Sequence, residues 1–178
     1  MRTLTVSRRH GVPGVRIRPI GPHDRAALLA AFERLSPTSR YRRFLSPKPR
    51  LSEAELTFFT ELDPSQHRAV VAERPRAGEI VGVARYVRTA GDAATADVAV
   101  AVIDDWHRRG VGRLLMTELI RLACRDGVPR LMATTHVENH ASRRLLGSLG
   151  FEGAGFFGDT VDLVLRLAWP AARPAAAA

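Results

Sequence analysis

The chain has 178 residues, 46% of them hydrophobic, which suits one domain with a buried core and leaves no apolar run long enough to span a membrane. Its first residues, MRTLTVSRRHG, lack the apolar stretch of a secretory signal, and its one cysteine, Cys124, excludes an internal disulfide and fits a reducing cytoplasm, the expected location. The net charge of +9 is uneven: residues 1–50 hold twelve Lys and Arg against two Asp and Glu, while residues 51–178 hold fifteen against sixteen.

Residues 1–14 read as a loose N-terminal segment. Residues 15–20, VRIRPI, alternate and predict a strand. Pro22 and Asp24 open a helix with Leu28, Phe32 and Leu35 on one face, and Ser36-Pro37 is expected to break it. A short helix follows over 39–44, bearing Arg40, Arg42 and Arg43. Ser52 and Glu55 have capping-box spacing, and Leu51 and Leu56 have staple spacing, so another helix starts there, with Phe58, Phe59 and Leu62 facing inward. Strands are predicted over 67–73 and 79–88, and Gly91-Asp92 marks a hairpin turn. The strand at 96–102 puts Val98, Val100 and Val102 on one face and Asp97, Ala99 and Ala101 on the other. A long helix then carries Val111, Leu115, Leu119 and Leu122, with Cys124 as a small packing residue, and Gly127 closes it. A strand over 130–136, a helix over 139–149 stopped by Gly150, and closing strands over 151–157 and 159–167 complete the pattern. The tail, 168–178, is low in complexity and reads as disordered. This order predicts one α/β domain over 15–167, with a mixed sheet flanked by helices.

Between the strand at 96–102 and the long helix lies His107-Arg108-Arg109-Gly110-Val111-Gly112. Glycines let backbone N–H groups approach a ligand closely and accept positive φ. The helix start adds free N–H donors and a positive dipole end, and arginines stand beside it. Together these make a seat for a phosphate or pyrophosphate. The run lacks the Gly-Lys-Ser/Thr of a P-loop, and Leu115 stands where the third glycine of a dinucleotide fingerprint would fall.

What remains resembles the acyl-CoA pyrophosphate loop of the GNAT N-acetyltransferases: Gln or Arg, two residues, Gly, one residue, then Gly or Ala. His107 takes the first position here. A second GNAT motif is Asn, then Ala or Ser three residues on, in a helix ending Leu-Gly-Phe. It is matched by Asn139, Ser142, Leu145, Leu149, Gly150 and Phe151. The order of elements also matches, so the resemblance spans 15–167. The stretches RPIGPHDRAALLAAFERLSPTSRYRRF, LSEAEL, GEIVGVARY and ADVAVAVIDDWHRRGVGRLL further resemble the acetyltransferase domain of bacterial protein lysine acetyltransferases. Several of those carry a fused acyl-CoA-synthetase-like or nucleotide-binding region; this chain is expected to be a stand-alone catalytic unit.

The resemblance implies transfer of an acetyl group from acetyl-CoA to a primary amine, by direct attack in a ternary complex, with a protein lysine as favoured acceptor and no metal. A thioester is already activated, so the site must hold its carbonyl near a neutral amine, stabilise negative charge and remove a proton. Lysine has a pKa near ~10.4, so deprotonation matters. The related lysine acetyltransferases place a Glu base on the central strand. The matching residue is Asp97, one methylene shorter, which suits a water relay; its plain alternative is a polar residue on an exposed strand. A tyrosine acid used by some members is replaced by Leu146. The amides of Val102 and Ile103 are expected to pair with the pantetheine arm or polarise the thioester. Those of Arg108, Arg109, Gly110, Val111, Gly112 and Arg113, headed by His107, are expected to hold the pyrophosphate. Asn139 either contacts CoA or caps its helix. The segment 36–44 is either a capped amphipathic helix or a lid on the substrate side.

Other residues have plainer readings. Tyr41 and Tyr86 either line a cleft or pack in the core. Asp104-Asp105 reads as a turn pair and Trp106 as a packed anchor. His136, Glu138 and His140 lack the spacing of a zinc helix. Three alternatives stand beside the leading one. Acetylation of a small amine is one. A non-catalytic acyl-CoA sensor is suggested by the missing tyrosine and shortened carboxylate. A nucleic-acid module would use the basic first third, which lacks interleaved aromatics and a reading helix. No membrane partner is expected, and the oligomeric state stays open, a dimer included.

Overall fold

A computed structural model describes residues 11–167. The strands are β1 (Arg16–Pro19), β2 (His67–Arg74), β3 (Glu79–Thr89), β4 (Asp92–Val102), β5 (Arg130–His136), β6 (Glu152–Phe157) and β7 (Thr160–Arg166). The helices are α1 (Arg25–Glu33), α2 (Pro37–Phe44), α3 (Glu53–Thr60), α4 (Val111–Arg125) and α5 (His140–Ser148). All seven strands join one mixed sheet in the order β1-β2-β3-β4-β5-β7-β6, so the expected α/β architecture is present. The tail expected to be disordered, and residues 1–10, lie outside the described residues. Within the segment expected to be loose, Val12 packs against the core and the Val15 amide donates to its carbonyl at 3.1 Å.

α4 buries Val111, Leu115, Met116, Leu119, Leu122 and Ala123 along one stripe, against β2, β3 and β4. It packs tightly over Gly82 of β3, where an added Cβ would lie 2.9 Å from Leu115 Cδ1 and 3.0 Å from the Ala101 carbonyl. On the opposite face, Leu28 and Phe32 of α1 close over Val83, Arg85 and Ala101. α3 starts with the expected capping box, Ser52 and Glu55 each serving the other's backbone. α1 ends at Glu33, ahead of Ser36-Pro37 as expected, and the same pair also begins the next helix, two residues earlier than expected. Ser36 caps α2 by accepting from the Ser39 amide at 3.2 Å, and Pro37 fills the first turn, where its missing N–H costs nothing.

The pairing at the centre of the sheet is short. β4 and β5 run parallel but pair through only Thr95–Arg130, Ala96–Leu131 and Asp97–Met132. Beyond these, β4 keeps β3 as its partner up to Val102, and β5 keeps β7 up to His136. The two central strands therefore part, and a gap opens between them.

Candidate active site

The gap is the inner wall of a cleft of about 580 Å³. β4 lines it from Val98 to Val102, β5 lines it with Ala133, Thr134 and Thr135, and the start of α4 stands at its mouth. Antiparallel partners exchange hydrogen bonds at every second residue. The Ile103 amide donates to the Val81 carbonyl at 3.0 Å, so Ile103 faces β3 and the main-chain groups of Val98, Val100 and Val102 face the gap. This corrects one expectation. The Ile103 amide is already used and its side chain is 2% exposed in the core, so the amides free to meet an extended ligand are those of Val100 and Val102.

His107 stands 2.8 Å from the Val102 carbonyl through Nε2. A carbonyl only accepts, so Nε2 carries the proton and Nδ1 is free. The imidazole thus ties the glycine loop to the end of β4, which is a structural use for the histidine at a Gln/Arg position. Within the loop, Arg108 has φ 58° and Gly110 has φ 86°. Successive backbone N–H groups in such a turn converge into an anion-binding concavity at the start of α4. Gly112 lies between α5 and β4: a Cβ there would sit 3.2 Å from Leu145 Cδ2 and 3.8 Å from Val102 Cγ2. Arg113 lines the cleft and donates to Ser148 Oγ at 2.6 Å, joining α4 to α5. Val111 is 1% exposed, so it serves the loop through its backbone.

The charge around the cleft is of one sign. Arg42, Arg43, Arg108, Arg113 and Arg144 all line it, and no Asp or Glu does among the described residues. The Arg109 side chain turns onto the Trp106 ring, 5.1 Å from the centroid, outside the cleft lining, which leaves its expected part in the loop to its backbone amide. Asn139 caps α5, accepting from the Ser142 amide at 3.2 Å, and the residue also lines the cleft. Leu146 also lines the cleft, so no hydroxyl stands there. Tyr86 is a core residue, 1% exposed, whose hydroxyl donates to Asp126 at 2.7 Å. Tyr41 is at the surface, its hydroxyl 3.3 Å from His136 Nε2.

Asp97 is exposed and accepts from Thr89 Oγ1 at 3.0 Å. It does not line the cleft; it sits at the last β4–β5 pair, two residues before Ala99, which does. Asp104 does more than form a turn. It accepts from the Ser36 amide at 3.0 Å, Ser36 Oγ at 2.8 Å and Ser39 Oγ at 2.9 Å. Partial burial opposes its charge, but the Ser36 and Ser39 donors outweigh it and hold the carboxyl below its usual range. The result is a latch that seats α2 beside the end of β4. Thr135 was not singled out by sequence: its Oγ1 is buried against the cleft without a hydrogen-bond partner among the described residues. Only its inward position on an alternating strand hinted at it. No cluster of three or more metal-ligating side chains occurs among the described residues, and no helix there is long and apolar enough to cross a membrane.

These parts match one kind of ligand: an extended chain with amide groups for β4, a polar atom for Thr135, and phosphates for the loop and its arginines. Comparison with known proteins agrees. Residues 15–152 match the family model described as an acetyltransferase (GNAT) domain. The chain is 33% identical over 156 residues to Acetyltransferase PA5475 of Pseudomonas aeruginosa, covering 86% of this chain and 83% of that protein. It is 34% identical over 134 residues to Acetyltransferase Pat of Mycolicibacterium smegmatis, covering 75% of this chain but only 40% of that protein. Its structure is similar to the crystal structure of the GNAT domain of S. lividans PAT, with a TM-score of 0.81, 28% identity and coverage of 86% and 90% of the two chains. The fold is also that of yncA from Salmonella typhimurium, solved with its cofactor acetyl-CoA, at a TM-score of 0.74, 24% identity and coverage of 92% and 99%. The chain belongs to the GNAT acetyltransferase family and is an N-acetyltransferase that uses acetyl-CoA.

Proposed function

We propose that the cleft passes the acetyl group directly to a primary amine, and that the amine is a protein lysine. The observation that carries direct transfer is the parting of β4 and β5 above the α4 loop. It offers the Val100 and Val102 amides to the pantetheine arm and, at the end of the arm, to the thioester carbonyl as negative charge develops. Ala99 and Ala101 present only methyl groups on the neighbouring face, which leaves an approach for the amine. The lysine acceptor is supported by the sequence stretches shared with bacterial protein lysine acetyltransferases and by the 34% identity to Pat. Incubation with labelled acetyl-CoA and a cell lysate, followed by mass spectrometry, tests it. Label on lysine side chains supports the reading, and label only on small amines replaces it.

Asp97 takes the ammonium proton through water. Its carboxyl is displaced from the cleft but lies on the face of Ala99 and Ala101. Asp97→Asn is expected to lower kcat near pH 7, with the deficit shrinking toward pH ~10, where lysine deprotonates unaided. Equal activity of both proteins across that range removes Asp97 from the mechanism.

A further inference from the structure

On the face of the sheet opposite α4, β3 carries an arginine inside the protein. Arg85 is 4% exposed and stands beside Ala99 of β4 in the strand register. Its Nη1 is 3.1 Å from His67 Nε2, its guanidinium lies over the Phe59 ring at 4.2 Å, and its Nε is buried without a hydrogen-bond partner among the described residues. Arg43 of α2 approaches it and makes no hydrogen bond or ion pair among the described residues, only a stack on the Phe44 ring at 4.8 Å. Arg85 forms no ion pair there either. Burial, and then the charge of Arg43, push Arg85 down to about 9, so it stays cationic at pH 7, and Arg43, half-buried and open to the main cleft, is cationic beside it. His67 is held neutral there, its value pushed down to about 4 by burial and by Arg85. A buried guanidinium with a like charge beside it and no counter-charge among the described residues costs stability, and proteins keep such a group mainly where something pairs with it.

Both arginines line a second, apolar chamber of about 40 Å³. Arg43, Leu35 and Ala101 line both this chamber and the main cleft, so the chamber adjoins the cleft beside the strand that holds the thioester. One water needs ~10–15 Å³ on this measure. The chamber therefore admits a group the size of about three or four waters, such as a carboxylate, and excludes an aromatic ring or a phosphorylated sugar. Charge-assisted, forked hydrogen bonds to a carboxylate are what a guanidinium offers best.

We propose that this chamber receives a carboxylate carried by a substrate, either at the far end of a dicarboxylic acyl chain or on the acceptor, and that Arg43 and Arg85 set this specificity. The inference rests on the transferase reading above and leaves its chemistry unchanged. The C–N bond forms, the C–S bond breaks, and the amine's proton leaves through solvent as the CoA thiol departs.

The test follows thiol release by the full chain in two matched comparisons. One sets succinyl-CoA against butyryl-CoA with a lysine-bearing peptide, and the other sets an amino acid against its amide with acetyl-CoA. The expected result is a preference of tenfold or more in kcat/KM for the carboxylate-bearing member of one pair, which identifies the source. In Arg85→Met and Arg43→Met that preference falls to near one, while the unfolding temperature of Arg85→Met stays level or rises, because an uncompensated buried charge has been removed. Arg85→Lys keeps part of the preference, and it serves as the readout where a Met variant fails to fold. Thiol release with no preference in either pair, or a preference that survives both Met substitutions, overturns the inference alone. No thiol release with any pairing sinks the transferase reading and this inference together.

Discussion

Acid should weaken this protein through one buried histidine well before its carboxylates titrate. His67 is 4% exposed, stacks on Phe58 with ring centroids 4.8 Å apart, and faces the Arg85 guanidinium. Burial and that neighbouring charge lower its value from 6.5 to about 4. The unfolded chain takes up the proton near 6.5 and the folded chain only near 4, so between these values the unfolded state binds more protons. The stability that neutral His67 contributes is thus fully present above pH 6.5 and is lost as pH falls toward 4. At about 1.4 kcal/mol per pKa unit the whole gap is worth about 3 kcal/mol, of which about 2 kcal/mol is gone by pH 5. His67→Gln keeps an acceptor for Arg85 Nη1 and removes the titration. Urea unfolding of both proteins at pH 7.5 and pH 5 isolates the effect, because other groups contribute equally to each. The wild type should lose about 2 kcal/mol more than the variant between the two pH values. Parallel losses would refute a neutral, buried His67.

Three further substitutions separate folding from binding. Gly82→Ala drives a methyl to 2.9 Å from Leu115 Cδ1 and 3.0 Å from a backbone oxygen, and should cost about 1–3 kcal/mol in thermal or urea unfolding. Gly112→Ala meets only side-chain atoms, at 3.2 Å and 3.8 Å, and gains helix propensity of up to ~1 kcal/mol, so stability should hold or rise. The same methyl crowds the start of α4, and calorimetry should show CoA affinity falling about tenfold, or about 1.4 kcal/mol. Asp104→Ala strands the Ser36 amide and two hydroxyls, and should cost about 1–3 kcal/mol. Because α2 brings Ser39, Arg42 and Arg43 to the cleft, its loosening should raise KM more than it lowers kcat in steady-state assays.

Local chemistry was readable from sequence where a single element decides it. The capping box at Ser52 and Glu55, the Asn139 cap and the glycine loop at the start of α4 depend on residues a few positions apart, and all appear as expected. Ser36-Pro37 breaks α1 as expected, but the same proline also opens α2, which the sequence placed two residues later. Contacts between distant segments were harder. Choosing between Ile103 and Val100 as amide donors needs the β3–β4 register, which Ile103's bond to Val81 sets from twenty-two residues away. The gap itself depends on where the pairing of β4 with β5 stops, at Asp97 and Met132, while β5 stays paired with β7 along its other edge, and no residue in β4 announces this. Arg85 sits on a strand that alternation alone would allow to face solvent. Its burial comes from α1, α2 and α3 closing over β3.

Amide chemical shifts during a titration with acetyl-CoA test most directly whether the carrier lies between β4 and β5 with its diphosphate on α4. Val100, Val102 and the amides of residues 108–113 should shift saturably and gain protection from exchange, while Ile103, already bonded to Val81, should keep its protection throughout. Saturable shifts confined to other strands, or none at millimolar acetyl-CoA, would contradict that placement.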